Sequence, residues 1–476
     1  MTSVSVPTEA SYRRRRQGFE AAPGRGYGAR VTQPDPARPD PSGSPAVPFA
    51  EAFRFWVWLG FVNFGGPTGQ IALMHTELVE RRRWIDEGSF LHALNFAMLL
   101  PGPEAHQLAI YVGWLLNGTP GALAAGVFFL LPAFALMVGL SWIFAVHGDV
   151  TWISGVFDGL AWAVVGIVAA ALLRIAGRAL GHAILVILAV LAFLALFVFG
   201  VPFPLVVFGA GAVGLIAGTR LPGSKLGATD LREAERVPPS WGRTARVLTL
   251  GLAVWLVPLA AVALAAGSGS VLAQEAVFFT IASLVTFGGA YAVLAYVNQA
   301  AVVRFGWLSA SEMAVGLSLA ESTPGPLIMV VVFVGFLAAY REPGSLAPVE
   351  AGVVGALVVA WATFVPSFLW IFLGAPSVER LRGNERLSGA LTAITASVVG
   401  VIANLAVVFA TSVLFDEVHV RTPFGHDVAV PVLSSADLLA IGVAVGSFVA
   451  IRRFRVNVVW VIVVAGLVGL VDALLA

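Results

Sequence analysis

The chain has 476 residues, 58% of them hydrophobic and 12% charged, with a net charge of +1 and a mean hydropathy of +0.89. Soluble domains carry about 25% charged residues, so a lipid bilayer is the expected solvent and partner, and a near-neutral chain is no bulk nucleic-acid binder. Cysteine is absent and the seven histidines are scattered, which excludes disulfides and thiolate chemistry and leaves neither a metal nor a cofactor expected.

Residues 1–48 are rich in Pro, Gly, Ser and Arg, with Arg13 to Arg16 in a row, and contain no apolar stretch of the signal-peptide kind. They read as a disordered, basic, cytoplasmic arm. Apolar runs of spanning length then recur from Val57 almost to the C-terminus. The alternating pattern of an outer-membrane barrel is missing, so helices must satisfy the backbone in lipid. The expected fold class is all-α: a polytopic integral membrane protein.

An internal repeat organises these runs. Phe64-Gly65-Gly66 returns 223 positions later (64 to 287) as Phe287-Gly288-Gly289, and the same offset carries Arg81 to Arg304, Trp84 to Trp307, and Pro101-Gly102-Pro103 to Pro324-Gly325-Pro326. Farther on the offset becomes 234 (132 to 366), relating Pro132 to Pro366 and Val164-Val165-Gly166 to Val398-Val399-Gly400. The expected organisation is a first repeat at 49–218, a basic cytoplasmic loop at 219–246, a connecting transmembrane helix at 247–266 and a second repeat at 267–476. In the first repeat, apolar segments fall near 53–79, 90–116, 120–146, 152–173, 182–200 and 203–218. In the second they fall near 275–303, 312–340, 349–374, 387–414, 435–451 and 457–475.

Basic clusters orient the segments: Arg13–Arg16, Arg81–Arg83, Arg174 with Arg178, the 219–246 loop, Arg380 with Arg382 and Arg386, and Arg452, Arg453 and Arg455. All can be cytoplasmic only if the segments broken at Phe-Gly-Gly and Pro-Gly-Pro are re-entrant hairpins. If every broken segment spans instead, Arg81–Arg83 lie outside. Either arrangement inverts one repeat relative to the other, which suits alternating access around a midplane site.

The four breaks carry the candidate chemistry. Glycine costs roughly 1 kcal/mol within a helix and proline more. A break also creates a helix N-terminus whose free N–H groups suit an anion; close packing or simple kinking is the alternative use. Candidate substrate-binding residues are Asn63, Gly65, Gly66, Thr68, Gln70, Gly102, Glu104 and Gln107 in the first repeat. Gly288, Gly289, Tyr291, Glu321, Thr323 and Gly325 are their second-repeat companions. The neutral side chains are expected to donate to a tetrahedral oxyanion, with Arg54, Arg81–Arg83 or Arg304 reaching in from the rim at most. Glu104 and Glu321 read as the only carboxylates well inside apolar sequence. They face Leu327 and Met98 in the repeat alignment, so the halves are unequal. His75, His92 and His106 read as packed rather than ligating residues, and Trp58, Trp84, Trp142, Trp152 and Trp307 as interfacial anchors.

The stretches FGGPTGQIALMHTELVERRRWI (64–85), LNFAMLLPGPEAHQLAIYVGWL (94–115), VTFGGAYAVLAYVNQ (285–299) and LAESTPGPLIMVVVFVGF (319–336) resemble the signatures of the chromate ion transporter family in its two-domain form. The resemblance covers about residues 50–475 and leaves out the N-terminal arm. It implies a plasma-membrane protein, N-terminus inside, that exports chromate or a similar oxyanion and so confers resistance, with sulfate as a competing substrate. A membrane-embedded enzyme using Glu104 and His106 is the reading from another class; it lacks a nucleophile, metal ligands and a soluble domain. A homodimer is one assembly open to such a chain.

Overall fold

Among the described residues, the first Phe-Gly-Gly motif and the second Pro-Gly-Pro motif stand between helices too short to cross a bilayer, while the first Pro-Gly-Pro motif opens a helix long enough to do so. The computed structural model describes residues 47–218, 241–285, 290–374, 385–422 and 427–476. The arm up to residue 46, residues 219–240 of the basic loop, Thr286 to Gly289, and Arg380 with Arg382 lie outside the described residues. The first repeat gives α1 (Phe49–Val62), α2 (Gly66–His75), α3 (Glu87–Ala97), α4 (Glu104–His147), α5 (Thr151–Ala179), α6 (Ala183–Phe197) and α7 (Phe203–Ala217). The connector is α8 (Trp241–Ala266). The second repeat gives α9 (Val271–Val285), α10 (Ala290–Asn298), α11 (Ala310–Ser322), α12 (Val330–Arg341), α13 (Pro348–Gly374), α14 (Glu385–Val413), α15 (Leu438–Arg453) and α16 (Val458–Leu475).

At 1.5 Å per residue the 14 residues of α1 reach about 21 Å, short of a hydrocarbon core of about 30 Å. Among the described residues, six helices are long and apolar enough to cross: α4, α5, α8, α13, residues 388–413 of α14, and α16. Two features differ from expectation. The segments near 90–116 and 120–146 are joined within α4, interrupted only where Asn117 and Gly118 leave helical geometry. A short antiparallel hairpin, β1 (Val418–Arg421) with β2 (Val428–Pro431), stands between α14 and α15. Its alternating polar residues fell between apolar runs, where the hydropathy pattern gives no signal.

Local geometry recurs at the repeat offset. Both Thr76–Arg81 and Gln299–Arg304 are π-helical turns. Arg82 N–H then donates to Glu77 O as Phe305 N–H does to Ala300 O, both at 2.9 Å. Asp86 caps α3 by accepting from Ser89 N–H at 3.0 Å, and Ser309 caps α11 in a capping box with Glu312.

The long helices pack through small residues, as lipid-embedded helices do. Gly155 and Gly159 of α5 abut Gly469 of α16, and Gly166 of α5 abuts Ala444 and Ser447 of α15. Equivalently, Gly389 and Gly400 of α14 abut Gly214 of α7 and Ala189 of α6. Each repeat therefore lends its last two helices to a long helix of the other, α15 and α16 to α5, and α6 and α7 to α14. Two prolines are handled in the same reciprocal way. Pro366 in α13 leaves Ala362 O without its intrahelical donor, and Trp255 Nε1 of α8 supplies one at 3.2 Å. Pro258 in α8 does the same to Val254 O, and Trp361 Nε1 of α13 answers at 3.0 Å.

At the rim, Arg341 at the end of α12 donates to Trp307 O at 2.9 Å and to both oxygens of Glu312. Burial pushes the Glu312 carboxyl up, but bonds from Arg341 and from the Ser309 N–H, with the Arg341 charge, outweigh it and hold the group below its ordinary 4.5.

Two outcomes follow, both read by thermal unfolding of the purified chain in detergent. Trp255→Phe strands the Ala362 carbonyl and costs about 1–3 kcal/mol. Adding Pro366→Ala restores a donor in the helix, so the double variant recovers most of that loss, a coupling the cycle measures directly. Because Glu312 is held low, its stabilising share is complete above pH 4.5 and is lost as pH falls through the lower folded value. Glu312→Gln is therefore less stable than wild type above pH 4.5, and the gap closes on acidification.

Candidate functional site

At the first break, α1 ends at Asn63, whose amide Nδ2 donates to Phe129 O of α4 at 3.3 Å. The Asn63 carbonyl accepts from Gln70 Nε2 at 2.9 Å and from the Gly325 N–H at 3.3 Å. Gln70 Nε2 also donates to Gly325 O at 2.5 Å. The Phe-Gly-Gly break of the first repeat is thus bonded to the Pro-Gly-Pro break of the second, and Asn63 and Gln70 are fully buried there.

The first Pro-Gly-Pro break meets the second repeat at α13. Gly102, at φ +124°, belongs to the first Pro-Gly-Pro break, and Gln107 Nε2 donates to Pro101 O at 2.7 Å. A Cβ on Gly102 would stand 3.3 Å from Ser367 Oγ of α13. Gly102 and Pro103 share a cavity of about 10 Å3 with Ser283 of α9, Val293 of α10 and Thr363 of α13. On the other side, Gly325, at φ +114°, lies against Ala133 of α4. Ala133 and Ser367 are related by the later repeat offset (133 to 367), so the two contacts are images of one another. Gly288 and Gly289 lie outside the described residues.

The amides face the opposite way from the sequence expectation. The Gln70 atom that meets two carbonyl oxygens must be its NH2 group, and the same holds for Asn63 and Gln107. The donors of Gln70 and Gln107 serve carbonyls at the breaks and that of Asn63 a carbonyl inside α4, while Asn63 Oδ1, Gln70 Oε1 and Gln107 Oε1 are buried without partners. What the junction offers an anion is therefore different. It consists of the main-chain N–H groups opening α2, α4 and the turn at Leu327, none of which has a side-chain cap, together with the hydroxyls of α13.

The remaining candidates separate into two groups. Tyr291 donates to Glu321 Oε1 at 2.6 Å, and Arg174 at the end of α5 lies near enough for its charge to act on both. Arg174 was not among the cations expected to reach the site; it had served only to orient the chain. Thr323 bonds back to Ala320 O at 3.3 Å. Glu104 opens α4 half-buried, while Gly65 and Thr68 are exposed and Gly66 half-buried. His106 is a packed residue, bonded to Gly126 O at 3.2 Å among the rings of Phe129, Phe364 and Phe368. His75 pairs with Glu87 and Glu80 outside the site.

Sequence reasoning missed three buried groups. Glu275 of α9 is fully buried with both oxygens unpartnered, against Gly355 of α13. It corrects the reading of Glu104 and Glu321 as the only carboxylates inside apolar sequence; its place near a segment start hid it. Thr363 and Ser367 were passed over as ordinary residues of an apolar run. The larger cavity, about 560 Å3 between α5, α6 and α14, has a wholly apolar lining and offers an oxyanion nothing.

A family model described as "Chromate transporter" matches residues 50–215 and 273–470. The chain is 30% identical over 372 residues to a "Probable chromate transport protein" of Synechococcus elongatus, covering 78% of this chain and 87% of the relative. It is 30% identical to a "Chromate transport protein" of Pseudomonas aeruginosa over 432 residues, 89% of this chain and 92% of the relative. To a "Chromate transport protein" of Cupriavidus metallidurans it is 28% identical over 390 residues, 81% and 90%. No solved structure matches.

Gln70→Leu removes the donor shared by Asn63 O and Gly325 O. It should lower stability by on the order of 2 kcal/mol, and Gln107→Leu, which strands one carbonyl, by about half as much. Denaturation of both variants in detergent checks the ratio.

Proposed function

Because the chain belongs to the chromate transporter family, we propose that it exports chromate, or a closely similar tetrahedral oxyanion, by alternating access around the four-break junction. The observation that carries this reading is the bonding of the first Phe-Gly-Gly break to the second Pro-Gly-Pro break through Asn63, Gln70 and Gly325, with the first Pro-Gly-Pro break seated on α13 of the second repeat. Discontinuous helices meeting between two repeats are the arrangement in which carriers hold substrate near the bilayer midplane. At about 10 Å3 the cavity at Gly102 is far smaller than a four-oxygen anion, so this is a closed state that must open.

The repeats are read as inverted, with the N-terminus in the cytoplasm and the protein in the plasma membrane. Movement of whole halves as rigid bodies does not suit the exchanged helices. The bodies that suit it are a frame of α5–α7 with α14–α16 and a mobile set carrying the breaks. The second repeat's α10 and α11 pack on α5 and α14, with Ser318 Oγ bonded to Leu160 O at 2.6 Å. Helices α2 and α3 make no comparable packing on that frame. In the opposite state the repeats exchange these positions.

An inside-negative potential drives export. Each charge is worth about 2.3 kcal/mol per 100 mV, and a dianion about twice that. A proton taken up at Glu104 or Glu321 is a second available drive. Efflux confers chromate resistance on the host.

The test is uptake of radiolabelled chromate into inverted vesicles. The wild-type chain accumulates it in response to an inside-positive potential, and Gly325→Ala, which forces a Cβ onto Ala133 at positive φ, lowers the rate at least tenfold. Competition by sulfate and molybdate ranks the substrates. Potential-independent uptake, or a full rate in the Gly325→Ala variant, would remove the reading.

A further inference from the structure

The two repeats differ on the face of α13 that meets the junction. Thr363 and Ser367 lie one turn apart on α13, on one face of the helix, and their repeat counterparts on α4 are Phe129 and Ala133. Both hydroxyl-bearing residues are buried, at 6% and 1% exposure, and neither Oγ has a hydrogen-bond partner. Other helical hydroxyls in this chain behave differently. Ser141, Thr392, Thr395 and Thr411 each donate to the carbonyl four residues back at 2.6–2.9 Å.

The bare pair faces the first Pro-Gly-Pro break. Ser367 Oγ lies beside Gly102, and Thr363 lines the cavity beneath Gly102 and Pro103. That cavity has the volume of about one oxygen atom with its hydration-sized envelope. The uncapped N–H groups of α4 open toward the same break, and the Gln107 side chain closes its far side with its donor already engaged. Two donors with no acceptor, next to a helix start with free N–H groups, form a half-built shell for a negatively charged oxygen.

We propose that Thr363 and Ser367 are the hydroxyl ligands of one oxygen of the transported oxyanion, which therefore binds against the second repeat's α13 and the first repeat's Pro-Gly-Pro break, off the axis relating the halves. This rests on the oxyanion reading of the junction. It adds a side-chain donor pair that the amides, turned toward the backbone, do not supply. The apolar mirror surface at Phe129 and Ala133 gives the anion one favoured seat rather than two.

The experiment measures thermal protection of the purified full chain by chromate, molybdate and sulfate, each titrated separately. The Thr363→Val, Ser367→Ala double variant should bind the protecting anion at least tenfold more weakly, each neutral donor to a charged oxygen being worth roughly a factor of ten. Thr363→Ser, which keeps a hydroxyl, retains most of the affinity. Without anion the double variant melts at or above the wild-type temperature, because the hydroxyls it loses are unpartnered. Ser141→Ala, which loses a made bond, melts lower and binds anion normally. Wild-type affinity in the double variant would overturn the proposal while leaving the oxyanion reading intact. Protection by sulfate or molybdate but not chromate, weakened in the double variant, upholds the donor pair and overturns the choice of chromate. No protection of the wild type by any of the three overturns both.

Discussion

A carbonyl that loses its helical donor inside a bilayer has no water to turn to, and this one constraint accounts for much of the fold. It explains why α8 and α13 each place a tryptophan one turn from the other's proline, Trp255 on Ala362 O and Trp361 on Val254 O. It explains why Gln70 and Gln107 turn their NH2 groups to the chain rather than to the site. Because Gln70 serves carbonyls on both repeats, satisfying the breaks also fastens the halves together. The stability of the junction and its capacity to hold a ligand therefore draw on the same few donors.

The positions of the breaks were legible in the sequence because glycine and proline pairs are costly in helices and recur at a fixed offset. The offset extends to details no hydropathy profile carries, such as the π-helical turns at Thr76–Arg81 and Gln299–Arg304. What could not be read was partnership. A glycine stripe on α5 announces a close neighbour but not that the neighbour is α16, about three hundred residues away in the chain. Likewise the donor and acceptor ends of an amide are fixed only once its surroundings are known, so the sequence places Gln70 and Gln107 at the breaks without showing that their NH2 groups bond the backbone. Thr363 and Ser367 gave no signal because hydroxyls in helices usually bond their own carbonyls, and these two do not.

Duplication gives two copies of every junction element, and the differences between copies then carry direction and selectivity. The packing of α10 and α11 on α5 and α14, against that of α2 and α3 on α4, makes the halves unequal in conformation. The Tyr291–Glu321 pair with Arg174 nearby, and the bare hydroxyls of α13, make them unequal in chemistry. In the proposed carrier, an off-axis seat at those hydroxyls would hold the substrate charge asymmetrically without a lysine or arginine at its centre.

The exchange of terminal helices also bears on biosynthesis. When α5 leaves the ribosome, its glycine face at Gly155, Gly159 and Gly166 has no mate, because α15 and α16 follow about three hundred residues later in the chain. The first repeat cannot complete its own packing as it is inserted; it must wait in the membrane with that seam exposed to lipid. Closure of that seam then becomes a late event governed by the arrival of α15 and α16. A chain halted before α15 would leave an inserted half-structure with an open seam, the kind of intermediate that membrane quality control removes.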